Sequence, residues 1–217
     1  MNRDSVDWYG YIPAITTPFT RDGELDLDGF EKQIDWLAHE RMQGVILAGT
    51  TGEWFSLSEA ERAELFAQGS KNSPDDMIVL GRCNAFTAAE AVRHAHAAER
   101  AGLDGLDGIL LTPPPYIVPT RAEVVAFYEE VSDATSIPIC IYNWPRGCVV
   151  DLDIDLLGEL AEIENVVAIK NCTGDMSRFV NGLYELSDRV RYFGVPTNAF
   201  GADLTGLCPS PSSRVAV

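Results

Sequence analysis

A lysine ends one of the most apolar runs of the sequence. Lys170 follows Val166-Val167-Ala168-Ile169 and is followed in turn by Asn171-Cys172-Thr173-Gly174-Asp175. Burying an ammonium group without a partner is costly, and desolvation lowers the pKa of a lysine. An uncharged amine can attack a carbonyl carbon and form a Schiff base. Lys170 is therefore a candidate nucleophile, although a lone lysine at a strand end more often simply reaches solvent.

Residues suited to anion binding and proton transfer follow other apolar runs. The backbone N–H and hydroxyl groups of Gly49-Thr50-Thr51-Gly52 could hold a carboxylate or a phosphate. Tyr142 ends a second run and could transfer a proton, and Tyr116 follows the rigid Pro113-Pro114-Pro115. Each motif alone also has an ordinary structural interpretation, as a tight turn, a core tyrosine or a proline-stiffened loop.

The elements that must position these residues alternate regularly. Short apolar runs predict strands, and the amphipathic stretches between them predict helices. Near-continuous apolar strands separated by helices indicate a parallel sheet covered by helices, and seven such units favour an α/β fold, the (β/α)8 TIM barrel. In that fold the functional residues lie at the carboxyl ends of the strands, where Lys170 stands. The predicted strands are residues 11–19, 44–49, 77–82, 108–112, 137–142, 166–170 and 190–195, and the predicted helices are residues 27–40, 58–69, 87–101, 121–132, 154–163 and 177–186.

The last residues of the chain do not continue this alternation. The stretch after Val195 becomes rich in proline and serine and has neither helical nor strand periodicity. A complete barrel typically takes about 250 residues. We therefore expect an incomplete barrel over residues 1–195, C-terminally truncated or altered after about strand 7, without a seventh helix and an eighth strand. Residues 196–217 are expected to form an irregular tail and no separate domain.

Composition limits the classes of partner. The chain has 16 basic and 33 acidic residues and a net charge of −17, which repels nucleic acid and anionic membrane surfaces. An anionic substrate would need a locally positive or amide-lined pocket. The chain has 5 cysteines, an odd number that does not suggest a disulfide framework. We also expect no apolar leader and no membrane-spanning segment, and these features favour a cytoplasmic protein. His94 and His96 are two residues apart on a predicted helix and cannot share a face, so no metal site is expected.

Taken together, the motifs resemble the dihydrodipicolinate synthase/N-acetylneuraminate lyase family. The resemblance runs from about Gly10 to Val195 and is specific as a set, although each motif is weak alone. Its motifs are Thr16-Thr17-Pro18-Phe19 with Asp22-Gly23-Glu24, Gly49-Thr50-Thr51-Gly52-Glu53, Tyr142-Asn143-x-Pro145, and Ala168-Ile169-Lys170 followed by Thr173-Gly174-Asp175.

The resemblance implies a class I aldolase-type enzyme that forms a Schiff base with pyruvate or another 2-keto acid and needs no cofactor. It implies that Lys170 is the nucleophile and Tyr142 the general acid/base. Thr51 would shuttle protons between Tyr142 and Tyr116. The amides of residues 49–51 and the Thr50 hydroxyl would hold the carboxylate. The second tyrosine of the family comes from a neighbouring subunit, so a homo-oligomer is implied, which in the family is a tetramer.

Some positions depart from the family pattern. The arginine usually found within Gly-Arg-Thr-Gly is displaced by one position in Arg146-Gly147-Cys148-Val149, which puts in question whether Arg146 binds substrate. Trp144 makes the surroundings bulkier. The reaction could therefore be a dihydrodipicolinate synthase-like condensation of pyruvate with an aldehyde. The alternatives are a 2-keto-3-deoxy sugar-acid aldolase or dehydratase, or a non-catalytic truncated barrel that at most binds a partner chain.

Overall fold

In the computed structural model, which describes residues 1–103, 105–204 and 215–216, strands alternate with helices along the chain. The described strands are β1 (Gly10–Tyr11), β2 (Gly44–Leu47), β3 (Ile78–Arg82), β4 (Gly108–Leu111), β5 (Ile139–Asn143), β6 (Val166–Asn171), β7 (Arg191–Gly194) and β8 (Val215–Ala216). The described helices are α1 (Leu27–His39), α2 (Glu59–Asn72), α3 (Ala88–Glu99), α4 (Arg121–Ala134), α5 (Pro145–Cys148), α6 (Ile154–Ala161), α7 (Met176–Leu186) and α8 (Pro196–Leu204). A short 3-10 helix, Arg3–Ser5, precedes β1.

The strands form one parallel sheet that closes on itself. Their order is β1-β8-β7-β6-β5-β4-β3-β2. The two ends of this order meet, because Ala14 bridges Ile46 in parallel and the Ile46 amide donates to the Pro13 carbonyl at 2.9 Å. The Ile15 amide donates in turn to the Ile46 carbonyl at 3.1 Å. The predicted α/β fold, a (β/α)8 TIM barrel, is thereby confirmed.

The end of the chain differs in detail from the sequence prediction. The expectation of an irregular segment is wrong for Pro196–Leu204, which forms α8, and proline at the first helical position suits a helix start. The expectation of a missing eighth strand is also wrong, because Val215–Ala216 pairs with both β1 and β7. Residues 205–214 and 217 lie outside the described residues, and the division of the chain at residue 195 stays a prediction.

Strands β2 to β6 are buried on both faces, which explains why their sequences are continuous apolar runs. Along β2, Val45 and Leu47 pack in the layer between the sheet and the helices, whereas Ile46 packs inside the barrel. The same alternation applies to β6, where Ile169 faces the helices and Ala168 faces the interior. Lys170 therefore points into the barrel, at the carboxyl end of the sheet.

Side-chain caps fix the first turns of the helices that follow β2, β3 and β4. Ser58, Thr87 and Thr120 each accept a hydrogen bond from the backbone N–H three residues ahead, at the start of α2, α3 and α4. Such caps hold the ends of the strand-to-helix loops in place. Within the described parts of the chain, no helix is long and apolar enough to cross a membrane.

Candidate active site

Lys170 and Tyr142 lie side by side at the carboxyl ends of β6 and β5. The two residues are direct partners in the sheet register, and the side chains are 6% and 7% exposed. The Lys170 Nζ atom lies 4.7 Å from the centroid of the Tyr142 ring. Parallel pairing of two inward-facing positions thus brings an amine and a phenol together inside the barrel.

The environment of Lys170 favours the uncharged amine. Burial lowers the pKa of Lys170, and the nearby Arg82 guanidinium lowers it further, while the thiols of Cys172 and Cys140 act in the opposite direction. No carboxylate pairs with Lys170 among the residues that the structure describes. The cost of burying an ammonium group outweighs the attraction of about 2 kcal/mol that a desolvated aromatic face offers to a cation. An amine in this position is suited to nucleophilic attack.

Tyr142 is held as a neutral phenol. Burial raises the pKa of Tyr142 well above its ordinary value, the Cys172 thiol beside its hydroxyl raises it further, and Arg82 acts against both. The Trp144 ring stacks on the Tyr142 ring with the centroids 5.9 Å apart and the planes 3° from parallel. A neutral phenol can donate its proton and, as the resulting phenolate, take a proton back, so Tyr142 is placed to serve an imine on Lys170.

The loop after β2 presents free hydrogen-bond donors. The Glu53 and Trp54 amides donate to the carbonyls of Thr50 and Gly49, both at 3.2 Å, whereas the Thr50 and Thr51 amides donate to nothing in the described part of the chain. Gly52 permits this turn, because a Cβ atom there would lie 2.9 Å from the Ile15 carbonyl oxygen. Unpaired amides in a tight turn form a concave site for an anion.

The five remaining predicted site residues are placed differently from one another. Gly49 is buried and Thr50 is half-buried beside the barrel interior, whereas the Thr51 side chain is exposed. Tyr116 is 87% exposed and has a positive φ of 75°, and Arg146 is exposed on α5. Within one chain the structure therefore brings Lys170, Tyr142 and Thr50 together, and it leaves Thr51, Tyr116 and Arg146 at the surface.

Sequence reasoning missed Arg82, which ends β3 and is 1% exposed inside the barrel. Its guanidinium carbon lies 5.2 Å from the Tyr142 ring centroid and 5.4 Å from that of Trp54, and its Nη1 donates to the Thr50 hydroxyl. Burial lowers the pKa of Arg82 only to about 10, so it stays charged near neutral pH. The missed signal was the one that identified Lys170, a basic residue ending an apolar run.

A second buried arginine anchors the surrounding backbone. Arg62 of α2 is 3% exposed, and it donates to the Arg82 carbonyl at 3.1 Å and to the Trp54 carbonyl at 2.9 Å. Asn143, which follows Tyr142, is fully buried and bonds both the amide and the carbonyl of Leu152. These contacts hold the ends of β3 and β5, and therefore the side chains that those strands carry.

Comparison with known proteins is consistent with this geometry. The family model described as the dihydrodipicolinate synthetase family matches residues 7–199. A 4-hydroxy-tetrahydrodipicolinate synthase of Ruegeria pomeroyi is 35% identical over 210 residues, which are 95% of this chain and 71% of that protein. An uncharacterized DapA-like lyase of Rhizobium meliloti is 31% identical over 208 residues, which are 96% of this chain and 64% of that protein.

Solved structures give the same result. The chloride-inhibited dihydrodipicolinate synthase from Acinetobacter baumannii, complexed with pyruvate, superposes with a TM-score of 0.85 at 29% identity, covering 92% of this chain and 67% of that one. The 4-hydroxy-tetrahydrodipicolinate synthase from Methylacidiphilum fumariolicum SolV superposes with a TM-score of 0.86 at 26% identity, covering 97% and 68%. The chain thus spans less than two thirds of the DapA-like lyase and about two thirds of these structures. It belongs to the dihydrodipicolinate synthetase family.

Proposed function

We propose that the protein is a class I aldolase-type lyase or synthase that forms a Schiff base between Lys170 and pyruvate or another 2-keto acid, as a dihydrodipicolinate synthase does. The observation that carries this proposal is the buried Lys170 amine, which has a lowered pKa and no carboxylate partner in the described chain, beside the neutral phenol of Tyr142. The pyruvate bound in the related Acinetobacter baumannii structure supports the choice of ligand.

The proposed chemistry assigns each group a step. The neutral amine of Lys170 attacks the keto carbon, and the resulting carbinolamine must lose water before an imine forms. Tyr142 donates the proton that lets this water leave and later accepts one as the enamine forms. The free amides of Thr50 and Thr51 hold the carboxylate. The covalent Schiff base takes the place of a cofactor.

Reductive trapping tests the proposal directly. The chain has three lysines, Lys32, Lys71 and Lys170, and the first two are exposed. Incubation with pyruvate and borohydride should add one pyruvate-derived mass to the peptide that holds Lys170, and Lys170→Met should abolish it. Lys71→Met is the matched control and should label normally. A folded sample that gains no mass at Lys170 would refute the proposed function.

The second candidate reaction uses the same first step on a larger substrate. Two observations favour a 2-keto-3-deoxy sugar-acid aldolase or dehydratase: Arg146 is exposed, and Trp144 stacks on Tyr142 beside the amine. A substrate panel separates the reactions once labelling is established. Turnover of a 2-keto-3-deoxy sugar acid without any condensation of pyruvate with aspartate semialdehyde would assign the second. The opposite pattern would assign the first.

We further propose that the protein acts as a homo-oligomer in which the Tyr116 of one subunit serves the site of another. Tyr116 is exposed, as are the neighbouring Ile117 and Val118, so an apolar surface surrounds it. Tyr116→Phe should slow trapping, and Lys170→Met should prevent it. If Tyr116 acts across subunits, mixed oligomers of the two variants should recover part of the rate. A lack of recovery in oligomers shown to be mixed would contradict this role.

The remaining alternative is a truncated barrel without catalysis. It predicts a folded protein that gives no adduct at Lys170, so an adduct in the trapping experiment would exclude this alternative and its absence would support it.

A cytoplasmic location forms part of the proposal and is supported by the free thiols of Cys83, Cys140, Cys148 and Cys172 in the described chain. Cell fractionation that finds the protein outside the cytoplasm would contradict it.

A further inference from the structure

Arg82 is a buried charge without a counter-ion. Its guanidinium lies between the Trp54 and Tyr142 rings, and no ion pair to it occurs among the described residues. The Nε atom of Arg82 is also buried without a hydrogen-bond acceptor. A buried charge with no counter-ion and an unpaired Nε is costly, and an anion bound nearby would reduce that cost.

The hydrogen bond from Arg82 to Thr50 leads towards the free donors of the loop after β2. The Thr50 hydroxyl accepts from Arg82 Nη1, so the proton of that hydroxyl stays available for a further acceptor. The Thr50 and Thr51 amides donate to no described group. The Arg82 guanidinium is therefore hydrogen-bonded to one of the groups, the Thr50 hydroxyl, that are suited to bind a carboxylate.

The other two buried cations near this point are committed elsewhere. The Nη1 and Nη2 atoms of Arg62 donate to the carbonyls of Arg82 and Trp54, which makes Arg62 a backbone anchor, although its Nε also lacks an acceptor. Lys170 must be uncharged to attack a carbonyl. In a chain with a net charge of −17, Arg82 is left as the group that can make this end of the barrel attractive to an anion.

We propose that Arg82 supplies the positive charge of the carboxylate subsite and acts through the Thr50 hydroxyl to select a 2-keto acid over an uncharged ketone. This inference rests on the proposed Schiff-base function and adds a specificity-determining residue to it. A hydrogen bond that involves a charged group is about twice as strong as a neutral one. The Arg82 charge therefore strengthens binding of the 2-keto acid, whereas it contributes little to binding of the uncharged ester.

Pyruvate and methyl pyruvate provide the test, because they share the reacting carbonyl and differ in charge. The measurement is the concentration of each that half-saturates borohydride-trapped adduct on Lys170. Arg82→Met should raise this concentration about tenfold or more for pyruvate and less than about twofold for methyl pyruvate. Equal changes for both would overturn the proposal, because a changed reactivity of Lys170 or a damaged fold acts on both alike. No change for either would also overturn it.

Thr50 variants test the same link without removing the buried arginine, in case Arg82→Met does not fold. Thr50→Val removes the hydroxyl and should reproduce the selective loss for pyruvate, whereas Thr50→Ser retains the hydroxyl and should restore it. The double variant Arg82→Met/Thr50→Val should lose little more than either single variant, because both break one chain of contacts. Selective loss that is fully additive, or a Thr50→Val protein that binds pyruvate normally, would overturn the route through Thr50.

A binding measurement separates this inference from the proposed chemistry. If the wild-type protein forms no adduct with either compound, the Schiff-base function fails, and the subsite is then tested on Lys170→Met by tryptophan fluorescence. Trp54 contacts Arg82 and Trp144 contacts Tyr142, so occupancy should change their emission. Saturable binding of pyruvate but not of methyl pyruvate, lost in Arg82→Met/Lys170→Met, supports the subsite. Binding of both compounds, or of neither, overturns it.

Discussion

Replacing Lys170 by methionine should stabilise the protein near neutral pH, although it destroys the proposed nucleophile. Burial lowers the pKa of Lys170 below the value of the unfolded chain. The folded state must therefore release a proton or carry a buried charge whenever the pH is below the unfolded pKa of about 10.4. This penalty is complete below the folded pKa and disappears as the pH rises to the unfolded pKa. Methionine has a similar shape and no charge, so it removes the penalty.

The sizes of the competing effects decide the sign. The aromatic face of Tyr142, 4.7 Å from Nζ, offers at most about 2 kcal/mol to the charged amine. Desolvation of an ion costs several kcal/mol, and the Arg82 guanidinium adds like-charge repulsion. Each unit by which the pKa is lowered is worth about 1.4 kcal/mol at pH values below the folded pKa. A gain of about 1 kcal/mol would raise the melting temperature of a domain of this size by about 2–4 °C.

Urea unfolding of Lys170→Met and of the wild-type protein at pH 7, 8.5 and 10 measures the effect. We expect the variant to be more stable at pH 7 and the difference to shrink as the pH rises. Titration of tyrosines and cysteines that do not interact with Lys170 affects both proteins alike and cancels in the difference. Lys71→Met, at an exposed position of α2, should change the free energy of unfolding by less than about 0.5 kcal/mol at every pH. A Lys170→Met protein that is less stable at pH 7, with a difference independent of pH, would refute the reasoning.

Three further predictions concern packing, buried hydrogen bonds and proton transfer. Gly182→Ala would place a Cβ atom 2.1 Å from the Tyr192 ring and should destabilise the protein by about 1–3 kcal/mol. Gly158→Ala is the matched control, because the nearest atom to its Cβ would be 3.8 Å away, and it should stabilise α6 by up to about 1 kcal/mol. Similar urea midpoints for the two variants would contradict this packing. Asn165→Ala removes donors to the carbonyls of Ser132 and Thr135 at 2.9 and 2.6 Å and should cost about 1–3 kcal/mol, so an unchanged midpoint would argue against these bonds. Tyr142→Phe should slow adduct formation by about 10²–10⁴ while leaving the half-saturating pyruvate concentration nearly unchanged, and an unchanged rate would remove Tyr142 from the mechanism.

The barrel and its nucleophile could be predicted because burial on both faces leaves a strong pattern in the sequence. The apolar run at residues 166–170 became β6, Val166–Asn171, and the period of two along that strand fixes the direction of Lys170. The first strand was predicted over residues 11–19 but is shorter, Gly10–Tyr11, and it is followed by isolated bridges at Ala14 and Phe19. Pro13 and Pro18 have no backbone N–H to continue a ladder there.

The role of Arg82 could not be predicted from local pattern, because its partners come from other strands. The hydroxyl that it binds is 32 residues away along the chain, and the Tyr142 ring belongs to β5. For the same reason the sequence could not separate Thr50, which contacts Arg82, from the exposed Thr51. The roles given to Thr51, Tyr116 and Arg146 depend on a second subunit or on a bound substrate, and they stay predictions.

The described part of β8 joins its neighbours through few register pairs. Within residues 215–216, β8 shares one register pair with β7 and two with β1, whereas β5 and β6 share five. We expect backbone amides of β8 to exchange with solvent through local opening, at a lower free energy than global unfolding requires. Lys170 is paired with Phe193 of β7, one strand from β8. An opening that spread from β8 through β7 would admit water to the neighbourhood of the amine and favour its charged form.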